Sequence, residues 1–187
     1  DLLDAAFPGR LDDRADVSGR ELIKDEKAML YVKGRGLTSG VTLHFAACCS
    51  PLPGDRIVGL LQPEKGVQVH TIDCEVLSRY EEGAMDQWLD LAWTPEAEDN
   101  AVSMARIRAV LHNEPGTLAV IAKTVGENRG NIASVKTISR STSFFEMEFD
   151  VEVFDTRHLA NILAAIRMCE PVVSAERLRA EIEEIGD

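Results

Sequence analysis

The sequence has no run of about 18 consecutive apolar residues, the length that a helix needs to cross a bilayer. It also lacks the order of basic and then apolar residues that begins a secretory signal peptide. We therefore expect no membrane span. The chain begins at Asp1 rather than at Met, which we interpret as the start of a piece cut from a larger protein.

Basic residues are in deficit along the whole chain. Lys and Arg number 20 against 32 Asp and Glu, a formal net charge of -12. The deficit holds in both halves, at residues 1–103 and at residues 104–187. Because nucleic-acid binding depends on Lys and Arg neutralising phosphates, this balance argues against a nucleic-acid partner.

Cysteines are also few. Four cysteines in a chain without an export signal argue against a disulfide framework. We expect reduced thiols, redox groups or metal ligands, and a cytoplasmic location.

The chain divides into two domains by composition. Residues 1–27 are acidic and show no periodicity, so we expect a linker or a helical tail. Residues 28–93 hold short apolar runs separated by Gly and Pro, which predicts a small β-rich domain. Residues 94–103 are polar and predict a linker, and residues 104–187 form the second domain.

The second domain shows clear periodicity. Alternation predicts strands at 106–112, 132–139, 145–153 and 172–178. Helical spacing of apolar residues predicts two helices, whose buried stripes we expect to consist of Leu118, Ile121, Ala122 and Val125 in the first, and Leu159, Ile162, Leu163 and Ile166 in the second. The order β-α-β-β-α-β is that of the ferredoxin-like fold, so we predict an α+β chain: a small β-rich domain followed by a ferredoxin-like domain.

The open face of this second sheet carries charges of both signs. Arg106 and Arg108 alternate with the buried residues of the first strand, and the third strand presents Glu146, Glu148, Asp150 and Glu152. An RNA-binding sheet of this fold would present aromatic and basic residues there. We expect paired charges instead.

Two segments resemble a known family. The segment GLTSGVTLHFAACCSPLPGDRIVGLLQPEKGVQVHTIDCEVL resembles the zinc-finger or intermediate domain of the long RelA/SpoT homologues, the bifunctional enzymes that make and hydrolyse (p)ppGpp. The segment from RIRAVLHNEPGTL to NIASVKTISR, with the FFEMEFDVEVF strand, resembles their ACT domain. The resemblance implies the C-terminal regulatory region of such an enzyme. The His-Asp metal site of the hydrolase and the synthetase fold are not in this sequence, so we expect no catalysis from it.

The loop between the first strand and the first helix of the ACT domain is a candidate ligand site. Free N–H groups at the start of a helix attract a carboxylate, and Asn side chains can accept from an ammonium group. We expect Asn131 to begin a strand at the same end of the sheet as this loop. The resemblance to amino-acid-binding ACT domains supplies the full set of candidates, namely Asn113, Glu114, Pro115, Gly116, Thr117, Leu118, Asn131 and Ile132.

The side chains around this loop are small or aliphatic, which favours valine or isoleucine as the ligand. The alternative is that Asn113 is an ordinary helix cap and Asn131 an ordinary turn residue. ACT domains bind ligands between two copies, so the resemblance also implies a homodimer.

Cys48, Cys49, His70 and Cys74 are the residue types of a structural zinc site. Adjacent cysteines on a strand point to opposite faces, so Cys48 and Cys49 can share an ion only if Pro51 and the turn bend the chain there. No cofactor is otherwise required. The alternatives are thiols that pack as small hydrophobic side chains, and redox sensing by the adjacent pair.

The leading hypothesis is an allosteric module in which an amino acid at the ACT loop shifts the balance between (p)ppGpp hydrolysis and synthesis by the catalytic domains of the same protein. A module that contacts the ribosome or tRNA, and a dimerisation domain without a ligand, are the alternatives.

Overall fold

The computed structural model describes residues 32–35, 37, 41–62, 65–79, 87–100 and 102–179. The expected tail at residues 1–27 lies outside these ranges. The first domain contains β1 (Val32–Gly34), β2 (Leu43–Phe45), β3 (Ile57–Gln62), β4 (Gly66–Thr71), a 3₁₀ helix (Glu75–Arg79) and β5 (Trp88–Trp93). The second contains α1 (Pro95–Asn100), β6 (Ser103–His112), α2 (Thr117–Glu127), β7 (Asn131–Arg140), β8 (Phe144–Val153), α3 (Thr156–Arg167) and β9 (Val172–Arg177).

The five strands of the first domain form one sheet in the order β1-β5-β3-β4-β2. All neighbours are antiparallel except β2 and β4, which run parallel. Apolar residues of these strands form a core made of Val32, Leu43, Ile57, Val67, Val69 and Leu91.

The second domain has the predicted β-α-β-β-α-β order. Its four strands are antiparallel in the order β7-β8-β6-β9, and β6 and β8 pair over their whole length from Ser103↔Val153 to His112↔Phe144. The helices α2 and α3 lie on one face, where Ile107, Phe149, Ile121 and Ile162 are among the core residues. The fold class is therefore confirmed.

The segment 94–103, predicted as a linker, contains the short helix α1, in which Ala97 is completely buried. One local expectation is wrong. In α2 the buried side chains are Thr117, Ile121 and Val125, whereas Leu118 is 46% exposed. Ala122, also expected in the buried stripe, is exposed as well. The stripe predicted for α3 is buried in full.

The edge strand β7 is exposed along most of its length. Except for Ile132, every residue of this edge strand is exposed, and Val135 and Ile138 are 47% and 40% exposed. Among the described residues β7 pairs only with β8, so its outer edge has no strand beside it.

The domains meet at the turn that follows Cys49. Leu52 of this turn is fully buried in the core of the second domain, and the Pro53 carbonyl accepts the N–H of Thr156 at the start of α3 (2.9 Å). This contact joins a first-domain loop to the second domain's core.

No helix among the described residues has both the length and the apolar composition that a bilayer crossing requires.

Candidate ligand pocket and metal site

A cavity of about 270 Å³ opens between the start of α2 and the neighbouring ends of β7 and β8. Drug-sized ligands usually occupy cavities of about 300–1,000 Å³, so this one suits a smaller molecule. It is lined by Asn113, Glu114, Gly116, Thr117, Leu118, Thr137, Arg140, Phe145 and Met147.

The start of α2 lies at this cavity, where the Thr117 N–H already bonds to the Glu114 carbonyl at 3.4 Å. The helix begins after Gly116, whose φ of 91° is in the left-handed region that glycine adopts most easily, and no side chain among the described residues caps it. A Cβ at this position would meet no atom within 4 Å, so the backbone stands in open space. The first N–H groups of a helix have no partner inside the helix and carry its positive dipole.

The other side chains that line the cavity include both charged and apolar groups. Arg140 and Glu114 bring one charge of each sign, and Leu118, Phe145 and Met147 form an apolar wall. Such a pocket can hold a zwitterion with an apolar side chain, because its two charged groups and its apolar part each find a counterpart.

Five of the predicted ligand residues line this cavity: Asn113, Glu114, Gly116, Thr117 and Leu118. Pro115 lies in the same loop but does not line it. The Asn113 side chain donates to the Ser141 carbonyl at 2.7 Å, which ties the loop to the turn between β7 and β8.

The expectation that Asn131 lies at the same end of the sheet as this loop is wrong. Asn131 pairs with Glu152 at the far end of β8, whereas Arg140 pairs with Phe145 near the cavity. The reason is topological: α2 runs back along the sheet, so β7 begins where β6 begins. Ile132 lies at that far end as well, and Asn131 donates to the Glu152 carboxylate at 3.0 Å.

Four lining residues were not predicted, namely Thr137, Arg140, Phe145 and Met147. They lie at the end of β7 and the start of β8, next to the loop after β6. The antiparallel order of the predicted strands would have placed them there.

The four predicted metal ligands lie together. Their potential ligand atoms are all within 4.8 Å of one another. The Cys48 Sγ is 3.5 Å from both the His70 Nδ1 and the Cys74 Sγ, and the Cys49 Sγ is 3.9 Å from the His70 Nδ1.

A tight turn brings the side chains of the adjacent Cys48 and Cys49 to the same site. The strand β2 ends at Phe45, and residues 47–49 form a turn closed by the N–H of Ser50 bonding to the Ala46 carbonyl at 2.9 Å. Ser50 has a φ of 41°, a left-handed conformation that reverses the chain. The bend required for Cys48 and Cys49 to share an ion is therefore present.

The pKa values of Cys48 and Cys49 shift in opposite directions. A hydrogen bond from Cys48 lowers the pKa of Cys49 to about 4, and the same hydrogen bond, with burial, raises the pKa of Cys48. The Cys49 sulfur also accepts the N–H of Thr71 at 3.3 Å. A thiolate is the form of cysteine that binds metal.

The set fits a structural zinc ion by its chemistry. Three sulfurs and one imidazole nitrogen are a common tetrahedral donor set for zinc. The His70 side chain is 1% exposed and turns its Nδ1 to the sulfurs, while its buried Nε2 has no hydrogen-bond partner among the described residues.

Comparison with known proteins decides the family. Residues 32–94 match the RelA/SpoT RIS domain and residues 100–177 match the ACT domain. The chain is a regulatory region of the RelA/SpoT family. Its curated relatives include "GTP pyrophosphokinase rsh" of Brucella suis biovar 1, 34% identical over 144 residues, which are 77% of this chain and 19% of the relative.

A second relative is "Bifunctional (p)ppGpp synthase/hydrolase SpoT" of Escherichia coli K12, 28% identical over 150 residues, which are 80% of this chain and 20% of the relative. The chain thus spans about a fifth of the length of these relatives. The crystal structure of the ACT domain from GTP pyrophosphokinase of Chlorobium tepidum covers 42% of this chain and 100% of its own, with 22% identity and a TM-score of 0.37.

Within this RelA/SpoT region the cysteine-histidine cluster belongs to the RIS domain and the cavity to the ACT domain. The open face of the ACT sheet carries ion pairs as expected. Arg106 bonds to Asp150 at 2.7 Å, and Arg108 lies 3.0 Å from Glu148 and 3.5 Å from Glu146. The arginines of this face are thus neutralised by carboxylates of β8.

Proposed function

We propose that the ACT domain binds a free branched-chain amino acid, valine or isoleucine, in the cavity at the start of α2. Binding shifts the balance between (p)ppGpp hydrolysis and synthesis by the catalytic domains of the same protein. The observation that carries the proposal is one cavity that combines an uncapped helix start, an arginine and an apolar wall.

The α-carboxylate is assigned to the start of α2 and to Arg140. Both are donors for an anion, one through backbone N–H groups and the helix dipole, the other through a guanidinium. The ammonium group has Glu114 and the Asn113 side-chain oxygen as acceptors on the same loop.

The ligand's side chain is assigned to the wall of Leu118, Phe145 and Met147. Met147 is 5% exposed, Phe145 is half-buried, and Leu118 is 46% exposed and would be covered by a ligand. An aliphatic side chain gains from this burial at about 25 cal/mol per Å² of apolar surface, which a serine side chain cannot match.

A homodimer brings Asn131 and Ile132 to the ligand. If the free edge of β7 pairs antiparallel with β7 of a second copy, the first residues of one strand lie opposite the last residues of the other. Asn131 of the second copy then approaches Arg140 and the cavity. The same pairing covers Val135 and Ile138, the exposed apolar residues of this edge.

The direction of the effect follows from physiology: an abundant branched-chain amino acid favours hydrolysis of (p)ppGpp. Contact with the ribosome or tRNA is less well supported, because the arginines of the open sheet face are paired with carboxylates.

Calorimetric titration of the purified chain with valine, isoleucine, serine and phenylalanine tests the proposal. We expect heat that saturates with valine or isoleucine and weaker or no binding of serine and phenylalanine. No heat with any of the four would rule out amino-acid sensing.

A structural zinc ion in the RIS domain is the second proposal. Cys48, Cys49, His70 and Cys74 would hold it and would fix the two loops that carry them. The convergence of all four ligand atoms within 4.8 Å supports this site.

A further inference from the structure

Two arginines at the end of the ACT domain reach back to the two RIS loops that carry the cysteines. Arg177 is the last residue of β9, and Arg179 follows it. Arg177 contacts the loop after Cys49, and Arg179 contacts the residue before Cys74.

Arg177 makes the tighter contact. Its guanidinium donates to both carboxylate oxygens of Asp55, at 3.0 and 2.8 Å, and to the carbonyl of Ser50 at 2.9 Å. The two side chains are only 15% and 11% exposed. A bidentate arginine pair shielded from water fixes both distance and orientation.

The loop after Cys49, which Arg177 contacts, is also fixed by a backbone hydrogen bond and by apolar packing. Asp55 accepts the N–H of Leu52 at 2.8 Å, and Leu52 is fully buried in the ACT core. Since Ser50 follows Cys49 directly, a shift of this loop displaces the cysteine.

The second contact reaches the other loop. Arg179 forms an ion pair with Asp73, and the hydrogen bond that it donates lowers the pKa of Asp73. Asp73 precedes Cys74, whose N–H bonds to the Thr71 carbonyl at 3.0 Å. This pair is more exposed than the first and contributes less.

We propose that the end of β9 holds in place the two loops that carry the cysteines, so that zinc binding in the RIS domain and docking of the ACT domain stabilise each other. Arg177 is the main positioning residue, and Arg179 assists. The inference rests on the zinc site proposed above and adds that the ACT domain builds part of it.

The coupling must act in both directions. If docking strengthens zinc binding by some factor, zinc strengthens docking by the same factor. Loss of a residue that orients metal ligands typically costs about 10- to 100-fold in metal affinity.

Competition with a chromophoric zinc chelator measures this on the whole chain. We expect Arg177→Met to weaken zinc binding by about tenfold or more and Arg179→Met to weaken it less. Arg157→Met is the matched control, because Arg157 is an exposed arginine of α3 and should bind zinc like the unmodified chain. Asp55→Asn removes the charge of the same pair with a smaller change in shape. It should weaken zinc binding as Arg177→Met does, and it replaces that variant if Arg177→Met folds poorly.

Amide hydrogen exchange tests the coupling without a measurement of zinc affinity. Removing zinc from the unmodified chain should speed amide exchange in β9 and at the start of α3, and should leave the far end of β7 unchanged. If Arg177→Met and Asp55→Asn bind zinc as tightly as the unmodified chain, the coupling is wrong while the zinc site stands. If the unmodified chain binds no zinc, both are wrong.

Discussion

Asn113 and Asn131 lie at opposite ends of the ACT sheet. The N–H of Asn113 bonds to the Ser143 carbonyl beside the start of β8, whereas Asn131 pairs with Glu152 near the end of β8. One chain therefore cannot bring both side chains to one ligand. The binding proposed for both side chains therefore requires a second copy.

Mixed dimers test this requirement. Asn113→Ala and Asn131→Ala should each abolish or strongly weaken valine binding, because each removes one polar partner from every site. A heterodimer of the two variants has one site with both substitutions and one with neither. We expect it to bind valine at half the sites of the unmodified dimer, with unmodified affinity, measured by calorimetry on differentially tagged, co-purified chains.

Ser134→Ala is the control for edge-strand substitutions, since Ser134 lies on the open face and bonds to Asp150 at 2.8 Å. It should leave binding unchanged. A heterodimer that binds no valine would contradict a site shared between the two copies. An Asn131→Ala homodimer that binds valine like the unmodified dimer would show that the site does not include Asn131.

Arg140→Met should weaken valine binding by about 1.5–3 kcal/mol, the usual worth of a hydrogen bond to a charged group. Valinol, which lacks the carboxylate, should be insensitive to the substitution. Lys136→Met on the opposite face of the same strand is the control. Equal losses in both variants would mean that Arg140 acts only through overall charge.

Leu52→Ala should destabilise the ACT domain although Leu52 belongs to a RIS loop. Replacing a fully buried leucine with alanine typically costs about 2–5 kcal/mol, measured here by urea unfolding. Leu61→Ala, at a position that is 41% exposed, should cost less than about 1 kcal/mol. Equal shifts in the two variants would show that the loop does not pack in the ACT core.

Cys74→Ser should reduce zinc in protein purified without chelator and should lower the melting temperature of the RIS domain. Cys169→Ser should do neither, because the Cys169 Sγ lies in the ACT domain, 3.2 Å from the Thr124 Oγ1. Less than about 0.2 zinc per unmodified chain would argue against a structural site, because such a site binds its ion tightly.

The sequence predicts the ACT fold well because its strands alternate apolar and polar residues and its helices repeat apolar residues every three or four positions. It predicts the chemistry of the cluster from residue types alone. The turn at Ser50, which lets Cys48 and Cys49 share a centre, depends on a left-handed serine that no residue preference would indicate.

Contacts between residues far apart in the sequence are harder to predict. The residues Thr137, Arg140, Phe145 and Met147 enter the pocket only through the pairing of β7 with β8. Leu118 is exposed because it lines the cavity at the start of α2. Likewise, Arg177 and Asp55 are 122 residues apart, and no local pattern links them.

Amide chemical shifts of the isotope-labelled chain during a valine titration test the central claim most directly. We expect saturable shifts at Gly116, Thr117 and Leu118 and at Arg140, with a second group at Asn131 and Ile132 from the partner copy. Residues of the cysteine-histidine cluster should change little. Saturable shifts confined to other surfaces, or none at millimolar valine, would contradict the assignment of this cavity as an amino-acid site.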